Sequence, residues 1–202
     1  GGFSDTTTMD GKAVFTIGAL DADESITALN EATVFQYMYV MNLNTSFTGD
    51  DNLYVRLKTG NAGSWTADKD HGTYLSSAKG NSNVIKVDKI WYSFPVGEQN
   101  TLYVGPKIEN YYMHGTTPSI YKPVLKAFTL GGNASAYGAS TAEGVGWVYK
   151  ADNGFAVSSN VVSKSQSTVK IYDTGTDENG DTVTLTSYAY DNTGILTDES
   201  KT

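Results

Sequence analysis

From residue 9 to residue 161 the chain alternates apolar and polar residues in short runs, and period two is the repeat of a β-strand with two unlike faces. The run 34–47 is the clearest. Phe35, Tyr37, Tyr39, Met41, Leu43, Thr45 and Phe47 fall on one face, and Gln36, Asn42, Asn44 and Ser46 fall on the other with Met38 and Val40. Six further runs read the same way, over 9–20, 53–59, 84–94, 101–108, 144–150 and 155–161. In the run 84–94 the phase changes. Ile85 and Val87 share a face that Ile90, Tyr92 and Phe94 would leave in a regular strand, and a bulge near Asp88-Lys89 restores the register. In the run 101–108, Leu102, Val104, Pro106 and Ile108 share a face opposite Tyr103 and Lys107. Pro106 cannot donate to a ladder, so pairing weakens or ends there.

The connections alternate in length. Thr48-Gly49-Asp50-Asp51, Val96 to Asn100 and Ala151-Asp152-Asn153-Gly154 are tight turns, the last ending in the hairpin signal Asn-Gly. The intervening connections, 21–31, 60–82 and 109–141, are long, and residues 25–32 of the first suit a helical turn. The tail from 163 is acidic and Thr-rich, with 169–172 and 182–190 able to pair as a hairpin. The expected organisation is strands and loops over 1–162, then an acidic loop or hairpin over 163–202.

A soluble β-sandwich also has one apolar face per strand. Three features favour a transmembrane barrel: the length of 34–47, aromatics at both ends of its apolar face, and short turns alternating with long loops. The predicted fold is therefore an all-β, antiparallel, up-and-down transmembrane β-barrel. Its polar face would line a water-filled lumen through Asp10, Lys12, Gln36, Asn42, Asn44, Arg56, Lys58 and Lys107, with Lys86 or Lys89 beside them. In a sandwich the same residues are a solvated face.

Composition agrees. Of 202 residues 39% are hydrophobic, too many for disorder, and no stretch approaches the roughly 20 apolar residues of a membrane helix. Tyr and Gly are abundant, as β structure with frequent turns requires. The net charge of -8 argues against nucleic acid as a partner, and the absence of Cys removes disulfides and zinc–thiolate sites. The chain opens Gly-Gly-Phe without a start Met or signal peptide, as a processed chain or an excerpt would. His71 and His114 sit in separate loops without ligand spacing. The acidic series Asp173, Asp177, Glu178, Asp181 lacks the order of a calcium loop. No nucleophile elbow, nucleotide loop or zinc-protease motif occurs. No enzyme activity, metal or cofactor is expected.

The segments Phe3-Ser4-Asp5-Thr6-Thr7-Thr8-Met9-Asp10-Gly11-Lys12-Ala13, Leu43-Asn44-Thr45-Ser46-Phe47-Thr48-Gly49-Asp50-Asp51-Asn52-Leu53 and Arg56-Leu57-Lys58-Thr59-Gly60-Asn61 resemble cyanobacterial outer-membrane porins. Tyr92-Ser93-Phe94-Pro95-Val96-Gly97, Tyr103-Val104-Gly105-Pro106-Lys107 and Gly144-Val145-Gly146-Trp147-Val148-Tyr149-Lys150 extend the likeness to about residue 161. This family is related to OprB-like carbohydrate-selective porins and is often labelled iron-uptake porin. The resemblance implies an outer-membrane barrel, commonly a homotrimer in the lipid bilayer, that passes small solutes or inorganic ions passively. It also implies a periplasmic S-layer-homology domain before the barrel and a barrel about twice as long, of some 16 strands, so this chain corresponds to its N-terminal half. By analogy with porin loops that fold inward, Tyr111, Tyr112, His114, Lys122 and Lys126 are the expected constriction loop. Lys12, Arg56, Lys58 and Lys107 on the walls, with acidic outer loops, suggest a mild anion preference. Two other readings stand beside this one: an extracellular adhesive protein assembling through strand edges, and a complete eight-stranded barrel whose lumen side chains nearly fill.

Overall fold

The computed structural model describes residues 5–23, 31–116, 121–130, 141–163, 167–176 and 182–191. The chain divides into two compact units, Gly1–Ser163 and Lys164–Thr202. The first holds β1 (Thr7–Gly18), β2 (Val34–Thr45), β3 (Asn52–Gly60), β4 (Lys86–Val96), β5 (Asn100–Glu109), β6 (Thr141–Lys150) and β7 (Ala156–Ser163). They form one antiparallel sheet in the order β1-β2-β3-β4-β5-β6-β7, so each strand pairs with its sequence neighbours. The protein is all-β, and its first unit runs up and down. β1 and β7 are the open edges of this sheet among the described residues. The second unit is a hairpin of β8 (Ser167–Thr176) and β9 (Thr182–Asp191), longer than the pairing expected there. Residues 25–30 of the expected helical turn over 25–32, the residues Gly131 and Gly132, and Asp177, Glu178 and Asp181 of the acidic series lie outside the described residues.

The bulge predicted in β4 is present. Arg56 opposes Lys89 and Leu57 opposes Val87, which leaves Asp88 as the extra residue. A second irregularity, between Gly105 and Ile108, interrupts the pairing of β5 with β6 around Pro106. It corrects two expectations. Ile108 was expected beside Leu102 and Val104, but it is fully buried on the opposite face. Lys107 was expected on the polar face, but it opposes Ile90 on the apolar one, and its ammonium donates to the Val87 carbonyl at 2.8 Å. Period-two reasoning carries a phase through a strand only while the ladder is unbroken.

The three short connections, 46–51, 97–99 and 151–155, lie at one end of the sheet. Each contains a glycine in the left-handed region: Gly49 (φ 101°), Gly97 (φ 68°) and Gly154 (φ 88°). In the first turn Asp51 is the organiser. Its Oδ1 accepts from the Ser46 hydroxyl and from the Phe47 and Thr48 backbone amides at 2.7–2.8 Å, and its Oδ2 accepts from the Tyr92 hydroxyl of β4 at 2.6 Å. The Tyr92 hydrogen bond above all, with those from Thr48 and Ser46, holds this carboxyl well below the usual carboxylate range. A depressed folded pKa means that the stabilisation is full above the unfolded value, near 4, and is lost as pH falls below it. Asp51→Asn is therefore expected to lower stability at neutral pH and to flatten its decline between about pH 4 and pH 2. Urea titrations of both proteins across that range measure the difference.

The two faces differ in what covers them. On one, Phe15, Ile17 and Phe35 are 72%, 76% and 73% exposed, and Val104, Val145, Val157 and Val161 are exposed with them. Aromatics stand at both ends of this face. Phe15, Phe35 and Tyr37 lie toward the long loops, and Phe47, Tyr92, Phe94, Trp147 and Tyr149 lie toward the short turns. The other face is covered by the chain's own long connections. Its core is Tyr54, Trp91, Ile108 and Met113, flanked by Tyr103, Tyr112 and Val162.

Candidate functional site: a loop-covered cavity on the polar face

Two connections build the cover. Residues 110–113 form a 3-10 turn (Asn110–Met113) that carries the chain from the end of β5 across β6 and β7. Met113 is fully buried over Gly146, where an added Cβ would come within 2.5 Å of the sulfur. The Gly115 amide then donates to the Ser158 hydroxyl at 3.0 Å. The glycines of β6 thus leave room on the sheet for the turn, and burial of Met113 and Ile108 holds it there. The second connection, 61–85, is anchored at its 3-10 turn (Ser64–Ala67). The Trp65 indole donates to the Ala32 carbonyl at 2.9 Å, and the buried Thr66 hydroxyl meets the Gln36 side-chain oxygen at 2.8 Å. The two connections join by a bridge between Leu75 and Leu125. The Ser76 amide donates to the Val124 carbonyl (2.7 Å), and the Lys126 amide donates to the Tyr74 carbonyl (2.8 Å).

Between this cover and the sheet lies a cavity of about 800 Å³. Its walls include Lys12, Val14, Thr16, Met38 and Arg56 from the sheet, Leu75, Ser76 and Ser77 from the 61–85 connection, and Tyr111, Tyr112, Tyr121, Lys122 and Lys126 from the connection after β5. Six of the residues singled out from sequence meet here: Lys12, Arg56, Tyr111, Tyr112, Lys122 and Lys126. Among the described residues four cationic side chains line the cavity, and neither Asp nor Glu does.

Arg56 is the hub. Its Nη2 donates to the Tyr112 hydroxyl at 3.1 Å, and its Nε reaches Asn42 Oδ1 at 3.2 Å and the Tyr54 hydroxyl at 3.1 Å. Its Nη1 lies 3.6 Å from Asp88, the bulge residue. The Tyr54 hydroxyl in turn donates to Asn42 Oδ1 (2.8 Å), and Asn42 Nδ2 donates to Asp10 (2.7 Å). The rows Asp10–Asn42–Arg56–Lys89 and Asn44–Tyr54–Trp91 follow directly from the strand register. Lys89, buried on the same face, pairs with Glu109 and lies 5.3 Å from the centre of the Tyr112 ring. Tyr112 therefore rests on two cations and on the Trp91 ring (4.9 Å), while Tyr111 stacks on Tyr112 at 4.9 Å.

The remaining predicted residues lie around this centre. Asn44 accepts from the Asn52 amide at 3.1 Å, nearer the short turns. Gln36 is buried beneath the Thr66 turn and does not line the cavity. Lys58 is on the same face as Arg56, opposite Val40 and Lys86. His114 follows the 3-10 turn and stands outside the cavity lining. His71 hydrogen-bonds Asp68 within its own loop at 3.0 Å. Among the described residues no group of three His, Asp or Glu could hold a metal ion.

Sequence reasoning missed the contribution of 61–85. Its signal was present in Trp65 and Leu75, large apolar residues inside an otherwise polar loop, which need somewhere to be buried. It also did not single out Trp91, the support beneath Tyr112, although the expected bulge already sets it on the face opposite Ile90 and Tyr92.

Fold and site together define an all-β protein with an antiparallel meander sheet. One face is apolar and exposed, and the other is polar and covered by two loops that enclose a cationic cavity. No family model matches the chain, and no solved structure matches it. It is 29% identical over 170 residues to an uncharacterized protein of Nostoc sp., an alignment that covers 79% of this chain and 28% of that protein. The chain thus spans little more than a quarter of its relative's length.

Proposed function

We propose that this chain is part of the wall of an outer-membrane porin, a passive channel for small hydrophilic solutes or inorganic ions. The observation that carries the reading is the opposition of the two faces. A sheet face bearing Phe15, Ile17, Phe35, Val145 and Val161 exposed is unfavourable in water, whereas bilayer hydrocarbon covers it without cost. Aromatics at both ends of that face suit the two lipid interfaces, and strands of 8 to 12 residues suit a tilted membrane span. The opposite face supplies polar groups and a cavity, with the described parts of the connection after β5, 110–116 and 121–130, lying on it as an inward-folded porin loop would. A cyanobacterial relative agrees with the family likeness.

In this reading β1 and β7 pair with further strands to close the barrel, because hydrocarbon tolerates no open sheet edge. A homotrimer, and a preference for anions over cations, belong to the same proposal. The intact protein, purified in detergent and added to a planar bilayer, is expected to give discrete conductance steps. A protein that stays soluble without detergent and gives no steps would remove this reading. It would support instead the second one, which rests on the same open edges: an extracellular all-β protein that assembles strand to strand.

A further inference from the structure

We infer that the loop-covered cavity is a binding subsite for a multiply charged small oxyanion, of the phosphate or phosphate-ester class. The proposal deepens the porin reading, since it assigns a preferred solute to the same lumen face. The binding itself requires only the cavity within the first unit.

Three observations carry it. The first is charge segregation. The chain has 22 acidic and 14 basic residues, yet among the described residues the cavity takes Lys12, Arg56, Lys122 and Lys126 and no carboxylate. The second is which of these cations are already used. Arg56 is shared with Asp88 and with the Tyr112, Tyr54 and Asn42 oxygens. Lys12, Lys122 and Lys126 have no carboxylate within ion-pair distance among the described residues. Three like charges converging on one cavity repel each other, and a dianion entering among them relieves that repulsion while gaining charge-assisted hydrogen bonds. Lys58 stands beside the same field, within electrostatic reach of Asp88 first and then of Lys126, Lys79 and Arg56.

The third observation is the origin of the walls. Lys12 and Arg56 come from β1 and β3, whereas Lys122 and Lys126 come from the connection after β5. That connection is tied down by Tyr112 on Arg56 and by the Leu75–Leu125 bridge. Arg56 and the backbone that carries the lysines are thus held from both sides before any ligand arrives, which lowers the ordering cost of binding. Hydroxyls of Thr16, Ser76 and Ser77 lie between them, and the volume of about 800 Å³ admits a sugar phosphate as well as free phosphate. Among the described residues the lining also lacks the Asn, Gln, Asp and Glu that usually hold a neutral sugar, which sets charge above carbohydrate as the recognised feature.

The experiment uses the intact protein in detergent and in planar bilayers, with inorganic phosphate as the probe and glucose as the uncharged control. Calorimetry in detergent is expected to give saturable phosphate binding and no glucose binding. Lys122→Gln with Lys126→Gln should weaken it by roughly tenfold or more, since the lining loses two of its four described cations. Lys69→Gln, an exposed lysine outside the lining, should leave it unchanged. In bilayers, phosphate should reduce the chloride current saturably, and the double variant should restore it. Phosphate binding without conductance steps would overturn the porin reading and keep the subsite. Conductance steps with no saturable phosphate effect would do the reverse. Binding that the double variant and Lys69→Gln weaken equally would reduce the cavity to general surface charge and overturn the proposal. Far-ultraviolet circular dichroism and heat-shifted gel migration verify that each variant is folded.

Discussion

Trp91→Ala is expected to cost about 3–5 kcal/mol of stability, the usual range for removing a buried Trp or Phe side chain. Trp91 is 6% exposed on the loop-covered face of β4. Its ring lies 4.2 Å from that of Tyr54 on the neighbouring strand and 4.9 Å from that of Tyr112 in the covering turn. Across the ladder Gly105 presses on it, and a Cβ there would come within 2.4 Å of the Trp91 Cβ. The indole is therefore the common support of β3, β4, β5 and the 3-10 turn. Its removal leaves a void that the stiff sheet cannot close, and it forfeits two aromatic contacts of about 0.5–1.5 kcal/mol each within that total. Trp91→Phe should recover most of the loss, since a ring remains between Tyr54 and Tyr112. Urea unfolding of the refolded protein in detergent reads both changes. A cost under about 1 kcal/mol for the alanine variant would mean that the covering turn does not rest on this residue.

If the proposed porin function holds, Arg56→Glu is expected to move the ion selectivity of the reconstituted intact protein toward cations, on the order of tenfold in permeability ratio. The substitution changes the cavity wall by two charges, each worth about 1 kcal/mol to an ion at 4 Å in watery surroundings. It also sets the new carboxylate beside Asp88 and leaves the Tyr112 hydroxyl without its cationic donor. Arg56→Lys separates the two consequences. The charge stays, so selectivity should hold. The three-way fork to Asn42, Tyr54 and Tyr112 is lost, so the loop should become noisier or more open to protease. The zero-current potential across a salt gradient measures the first effect, and limited proteolysis the second. An unchanged potential in the glutamate variant would show that ions do not pass this wall.

The strands were legible because β2 and β3 obey a strict period of two with opposite chemistry on their faces. The β4 bulge was legible for the same reason. The apolar residues before and after Asp88 can share a face only if one residue is extra. The short turns were legible from Asn153-Gly154 and from the Gly49 and Gly97 punctuation. Lys107 and Ile108 were placed on the wrong faces because the second irregularity falls at Gly105-Pro106, where small and ring-bound residues carry no facial signal. The candidate site was half legible. Tyr111, Tyr112, Lys122 and Lys126 stood out within their connection, but the bridge from Leu75 to Leu125 that completes the cover links residues 50 positions apart through backbone groups, which any sequence can supply.

Sequence alone determined the elements and their order: seven two-faced strands, short and long connections in alternation, and a separate acidic tail that pairs with itself. Local periodicity and turn chemistry suffice for that, since each depends on neighbours only a few residues away. Tertiary structure decided what lies on the polar face. It placed Met113 over Gly146, Tyr112 on Arg56 and Trp91, and Lys12 across a cavity from Lys122 and Lys126. Those contacts join residues that are remote in the chain, and they depend on the volume left by glycines and on the phase set by two bulges. The alternation of apolar and polar residues carries the β4 bulge but neither the glycine volumes nor the irregularity of β5. The packed sheet alone converts that alternation into a cationic pocket in an acidic chain.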